Sequence, residues 1–164
     1  MLNLLKAFAF YRNNFDVYTD GSSKDGKSSW AFVVTKNGKK VFECSQSIPY
    51  ATCNRVELIA AIEALKYFRK KSTVKILSDS RILVDAFKQD FQRQRPFAYE
   101  KEFQTLDALC AHHNVSFHWI KAHSGNAFNE RCDELCVESR TSRLLSAADN
   151  NLDGKFQTCR KSLT

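Results

Sequence analysis

No stretch of this 164-residue chain is long and apolar enough to cross a membrane as a helix, and no internal repeat or low-complexity tract is visible. None of the six cysteines, at positions 44, 53, 110, 132, 136 and 159, forms a Cys-x-x-Cys pair, so neither a zinc ribbon nor a thioredoxin-like redox motif is suggested. A chain of this size, 43% hydrophobic, can build its core without disulfides, and a reducing, cytoplasmic compartment is the default. Cys132 and Cys136 share one face of a predicted helix and read as packing residues. The opening MLNLLKAFAFYRNN has no acid, yet Lys6 interrupts the apolar core that a secretory signal needs. It reads as an amphipathic extension packed on the domain, with an organelle presequence as the alternative. Asp149 to Gly154 opens like a calcium loop, but Arg160 stands at its twelfth position where a glutamate is needed.

What the chain does have is positive charge: 25 lysines and arginines against 18 acids, a formal net charge of +7. Such a surface favours polyanions. A few acids gathered into one negative spot on that positive body would suit nucleic acid together with a divalent metal. The length fits a single domain, with boundaries at 1–14 for the extension, 15–140 for the domain and 141–164 for a tail in which periodicity fades.

Phe15, Val17 and Thr19 alternate as one face of a half-buried strand that runs into Asp20, where Gly21 and two serines are expected to break it. Trp30 to Thr35 and Val41 to Ile48 follow as strands around Asn37-Gly38, a pair that favours a tight hairpin. Thr52 to Lys70 carries a helical apolar stripe. Thr52 or Asn54 is its candidate N-cap, and Asn54 with Glu57 resembles a capping box. Val74 to Leu77 is a short strand ending at Asp79, followed by a helix from Arg81 to about Phe91 and a basic loop with Arg93 and Arg95. Another helix ends at His112 and His113, which read as structural groups suited to the helix dipole. Val115, Phe117 and Trp119 alternate in a last strand, and a final helix begins near Asn126 and carries Asp133. The expected architecture is an α/β (mixed α+β) fold: a five-stranded mixed sheet, its first three strands antiparallel, with helices on both faces.

Each acid has an ordinary explanation of its own. Asp20 with Gly21 is a common turn dipeptide, and Glu57 and Asp133 could neutralise helix dipoles. As a set, Asp20, Glu57, Asp79 and Asp133 could instead converge at one edge of the sheet, where carboxylates hold two divalent cations for phosphodiester hydrolysis. Magnesium suits an all-oxygen site that keeps water positions open.

YTDGSS, CNRVELIAAIEAL, ILSDS and WIKAHSGNAFNERCDEL resemble, in order and spacing, the four successive motifs of type 1 ribonuclease H, within the ribonuclease H-like superfamily. The resemblance covers roughly Asp16 to Val137. It implies an endonuclease that hydrolyses the RNA strand of RNA–DNA hybrids by a two-metal-ion mechanism, leaving 3′-hydroxyl and 5′-phosphate ends. It also implies that Asp20, Glu57, Asp79 and Asp133 bind two Mg²⁺ ions, with Mn²⁺ as a substitute. Asp20 would bridge the two ions, Glu57 would sit beside the 2′-hydroxyl next to the scissile bond, and Asp133 would be the loosest ligand. His123 matches a mobile histidine that assists proton transfer or product release. Asn54 matches a minor-groove contact, and Thr52, Cys53, Arg55 and Ser80 match further substrate contacts that read shape rather than sequence.

Three departures bear on affinity for the hybrid. SSKDGKSS lacks the Gly/Pro-rich run of many members, Cys53 replaces an asparagine, and the segment before Phe103 is too short for a full basic handle. The expected state is a monomer, alone or joined to or assisted by a hybrid-binding or polymerase domain. Two rival readings are a binding module on the same scaffold, which is expected to lose at least one acid, and a transposase- or integrase-like enzyme. The latter normally lacks both the His123 motif and the Asn-Arg-x-Glu-Leu helix.

Overall fold

The computed structural model describes residues 14–88, 95–146 and 157–161. The predicted N-terminal extension up to residue 13, Arg93 and most of the predicted tail lie outside them. The elements in chain order are β1 (Asn14–Lys24), β2 (Lys27–Lys36), β3 (Lys39–Pro49), α1 (Cys53–Lys66), β4 (Thr73–Ser78), α2 (Arg81–Asp85), a 3₁₀ turn (Phe97–Tyr99), α3 (Glu100–His112), β5 (Asn114–Trp119), α4 (Ala127–Ser146) and β6 (Gln157–Lys161).

The sheet runs β5-β4-β1-β2-β3-β6. β1, β2 and β3 form the expected antiparallel meander, and β4 and β5 join it in parallel. Two-residue turns connect the meander. Asp25-Gly26 and Asn37-Gly38 all have positive φ (53°, 73°, 52° and 73°), the conformation that matches the twist of a tight hairpin. β1 does not stop at Gly21. It continues through the two serines to Lys24, because each of those residues has a partner on β2, and regular pairing outweighs the local turn propensity. The SSKDGKSS segment is therefore the body and tip of a hairpin.

Helices cover both faces. On one face Val17, Trp30, Phe32 and Val34 of the sheet pack against Val56, Leu58, Leu65 and Phe68. Three fully buried alanines, Ala60, Ala61 and Ala64, keep α1 close to the sheet. That helix ends at Lys66, four residues before the expected stop, and α2 has only five residues. On the other face Ala31 and Val33 meet Cys132, Leu135 and Cys136 of α4, the packing role expected of these cysteines. The thiols also donate to the sheet, Cys132 Sγ to Tyr18 O at 3.4 Å and Cys136 Sγ to Asp20 O at 3.6 Å. Glu43, buried in β3, accepts from Lys40 Nζ (2.8 Å) and from Arg131 Nε (3.2 Å) and a terminal guanidinium nitrogen (3.1 Å) on α4.

α4 runs past residue 140, and β6 adds a sixth strand to the expected five, antiparallel to β3. Cys44 is disulfide-bonded, against the expectation from size and composition. In the β3–β6 register it lies opposite Cys159, a pairing created by a strand that carries no alternating hydrophobic signal. His113 is structural as expected, but not as a cation at a helix end: burial and then the neighbouring His112 lower its pKa, and its Nδ1 accepts from Ser72 N at 3.3 Å. Arg95 is a pin rather than a free loop charge. It donates to Ala86 O (3.1 Å) and Asp107 (2.6 Å) and lies over the rings of Phe87 and Phe103. Among the described residues no helix is long and apolar enough to cross a membrane.

Candidate active site

β1 and β4 are adjacent and parallel and their last pair is Tyr18 with Leu77, so Asp20 and Asp79, each two residues further on, lie side by side at the end of β4. The first turns of α1 pass over that end and supply Glu57. The approach depends on Gly21. A β-carbon there would come within 2.6 Å of Glu57 N and 2.7 Å of Val56 C, closer than such atoms ever sit. Hydrogen at this position lets the helix backbone touch the strand and brings oxygens of Asp20, Glu57 and Asp79 within 4.8 Å of one another.

Gathering three acids has electrostatic consequences. Burial, then the charges of Asp79 and Asp133, push the Asp20 carboxyl up to about 6, although Gly21 N donates to its Oδ1 at 2.8 Å. Glu57 is raised well above the ordinary carboxylate range, first by burial and then by Asp20 and Asp79. Its Oε2 is buried with no hydrogen-bond partner. Glu57 is thus not the capping carboxylate that its position in the helix allows; the N-cap is Thr52, which makes no side-chain cap bond. A buried, unpartnered carboxylate oxygen within reach of two more carboxylates is an arrangement that a divalent cation would complete, and the all-oxygen donor set suits a hard ion.

Asp79 is oriented from two sides. Asn129 Nδ2 of α4 donates to its Oδ2 at 3.2 Å, and Trp119 Nε1 donates to its backbone oxygen at 3.2 Å. Asn129 is buried, and its other side-chain atom, Oδ1, has no partner. Sequence reasoning gave Asn129 no role. Its position three residues into a helix that starts at the cap Asn126 and carries Asp133 one turn further on was the available signal. Asn126 Oδ1 accepts from Phe128 N and Asn129 N, both at 3.2 Å, and so fixes that first turn.

The remaining predicted residues surround this cluster. Asp133 on α4 is half-buried and close enough for its charge to act on Asp20, without joining the tight group of three. His123 is exposed in the loop before α4, at φ 47°, with Gly125 at φ 84° two residues on. Thr52, Cys53, Asn54 and Arg55 are all exposed around the start of α1. Thr52 Oγ1 meets Tyr99 OH at 3.2 Å, and Arg55 Nε donates to Glu102 at 2.7 Å. Ser80 caps α2, its hydroxyl accepting from Leu83 N at 3.5 Å.

Residues 12–141 match the RNase H family. The chain belongs to that family. It is 35% identical over 138 residues to ribonuclease HI of Synechocystis sp., covering 76% of this chain and 86% of that protein. It is 38% identical over 136 residues to ribonuclease H of Chlorobium luteolum, covering 75% and 92%. Among solved structures, LC9-RNase H1, described as a type 1 RNase H with the type 2 active-site motif, superposes with a TM-score of 0.72 at 21% identity, over 92% of this chain and 78% of that one. LC11-RNase H1, solved in complex with RNA/DNA hybrid, gives a TM-score of 0.67 at 21% identity, over 79% and 99%. The four motifs of this type 1 ribonuclease H thus occupy one continuous matched region, and the mixed sheet with its helices matches the fold of these neighbours.

Proposed function

We propose that this ribonuclease H cleaves the RNA strand of RNA–DNA hybrids endonucleolytically, with Asp20, Glu57, Asp79 and Asp133 as the carboxylates that hold two divalent cations, Mg²⁺ or in its place Mn²⁺. The observation that carries the reading is the cluster of Asp20, Glu57 and Asp79, with Glu57 Oε2 buried and unpartnered. When bound, the cations would stabilise charge on the phosphodiester and lower the pKa of the attacking water; the expected products carry 3′-hydroxyl and 5′-phosphate ends. Asn129 and Trp119 hold Asp79 in one orientation, so its carboxylate needs little rearrangement during the reaction. The backbone of Glu57 is fixed against Gly21, and in this reading its carboxylate recognises the 2′-hydroxyl, the group that separates RNA from DNA. His123, on a short glycine-ended loop, carries the proton away from the site or helps the product leave. Asn54 at the start of α1, with Thr52, Cys53, Arg55 and Ser80 around it, contacts the groove and backbone of the hybrid. The chain acts as a monomer in the cytoplasm under this proposal, with the Cys44 disulfide as the feature that pulls toward a less reducing setting.

The test is a gel assay of end-labelled RNA–DNA, RNA–RNA and DNA–DNA duplexes with Mg²⁺, using the wild type, Asp79→Asn and His123→Ala. Cutting confined to the RNA strand of the hybrid, abolished by EDTA and by Asp79→Asn, is the expected result. His123→Ala should slow cleavage far less, by about 10²-fold or under, because water can replace a proton shuttle. Hybrid binding without cleavage by the wild type would overturn the proposal in favour of a binding module.

A further inference from the structure

We propose that the end of the sheet opposite the carboxylates is a second binding surface for the phosphodiester backbone of a nucleic-acid duplex, distinct from the surface where the hybrid is cut. β1 begins at this end with Asn14 and reaches Asp20 six residues later, about 20 Å along the strand. The surface is built from two neighbouring loops. In the β2–β3 hairpin, Lys36 and Lys39 are direct cross-strand partners. Like charges placed opposite each other destabilise a sheet, and the Asn37-Gly38 turn does not require lysine on either side. Lys36 extends its ammonium over the Phe15 ring, 5.2 Å from the centroid, and that ring lies 4.9 Å from the ring of Phe68. Phe68 leads directly into Arg69, Lys70 and Lys71, all exposed, in the loop between α1 and β4.

The ordinary explanation accounts for part of this charge. Lys66 lies in the last turn of α1, where a cation compensates the helix dipole, and it pairs with Glu63 at 2.7 Å. Lys40 is taken up by Glu43 at 2.8 Å. Lys39 and the 69–71 run have no comparable acid among their described ion pairs. Tyr67, 37% exposed and stacked on Phe42 at 4.3 Å, stands among these cations. A cluster of exposed cations with no acid paired to them among the described ion pairs is the electrostatic footprint of a nucleic-acid backbone. Such an anchor would hold a second stretch of a long duplex and raise its effective concentration at the catalytic edge, offsetting the short handle segment.

The test uses the full chain in EDTA with a labelled DNA duplex of about 30 base pairs, titrated over a range of salt, so that binding is read without cleavage. The variant carries Lys39→Gln, Arg69→Gln, Lys70→Gln and Lys71→Gln, with a thermal melt to confirm that it is folded. The expected result is at least a roughly 10-fold weaker affinity and a salt slope reduced by about two to four. With Mg²⁺, kcat and KM on a hybrid of about 12 base pairs should be unchanged, while KM on a hybrid of about 200 base pairs rises several-fold. Unchanged DNA affinity and slope would overturn the proposal, leaving an acidic protein as the partner for this charge. An equal rise of KM on short and long hybrids would also overturn it, by placing these residues at the catalytic edge. Because the DNA arm needs no cleavage, its outcome is separate from that of the hybrid-cleavage reading.

Discussion

The Asp20 carboxyl takes up its proton near pH 6 in the folded chain, because burial and the charges of Asp79 and Asp133 oppose ionisation, whereas its ordinary value is 3.8. The folded state therefore binds the proton more tightly than the unfolded chain. This contribution favours folding fully below about pH 4 and fades as pH rises through 6, so at neutral pH the ionised group is a burden on the metal-free protein. The shift corresponds to at most about 3 kcal/mol. Two outcomes are expected in EDTA. Wild-type thermal stability should rise as pH is lowered from about 7.5 to about 5.5, and Asp20→Asn should melt higher than wild type at about pH 7.5 while having no nuclease activity. Melting curves at the two pH values check both, and an Asp20→Asn variant less stable than wild type at neutral pH would contradict the reading. Asn129 adds a further point at this scale. The sequence marks its helix position but not its partner, because the bond to Asp79 at 3.2 Å depends on a helix meeting the end of a strand fifty residues away.

Two elements set the positions of the acids. α1 reaches β1 only because residue 21 has no side chain, so Gly21→Ala is expected to destabilise the protein by about 2–3 kcal/mol and to reduce cleavage more than 10²-fold by moving Glu57. Urea unfolding and steady-state kinetics would measure the two effects, and retention of both stability and activity would exclude the close-approach argument. α4 is held to the sheet by Glu43 and Arg131, and Arg131 also donates to Glu134 (3.0 Å) and Glu138 (2.9 Å) on its own helix. Asp133 is two residues from that anchor. Glu43→Gln should lower stability by about 2–4 kcal/mol and raise the Mg²⁺ concentration needed for half-maximal cleavage, read from a metal titration. The strands of the meander, α1, α3, β5 and the start of α4 were legible from alternation, helical periodicity and the Asn-Gly turn. Two of the differences, in β1 and β6, share one cause. Gly21-Ser22-Ser23 looks like a strand breaker until β2 pairs with it, and β6 becomes a strand only beside β3. Local propensity does not carry such long-range pairing.

At the scale of the whole molecule, the chain keeps its negative spot at one end of a sheet whose other end is basic, within a net charge of +7. The composition gave the sign of the partner, and the serial motifs located the acidic end; which lysines share a surface emerged only when the β2–β3 turn and the 69–71 loop were brought side by side. One feature of the layer between α4 and the sheet reaches beyond packing. Cys132 and Cys136 are completely buried there, with thiol pKa values raised by burial, and Cys136 donates to the backbone of Asp20. A bulky disulfide reagent cannot reach either sulfur until α4 lifts away, and that lifting also carries Asp133 from the other carboxylates. Exposed Cys53 should be labelled at once, whereas Cys132 and Cys136 should follow slowly, and more slowly still when Mg²⁺ is present. Mass spectrometry of the labelled peptides over time would report this directly, and labelling of all three at one rate would show that the layer is open. The labelling rate of the two sulfurs would then serve as a clock for how often the carboxylate cluster comes apart.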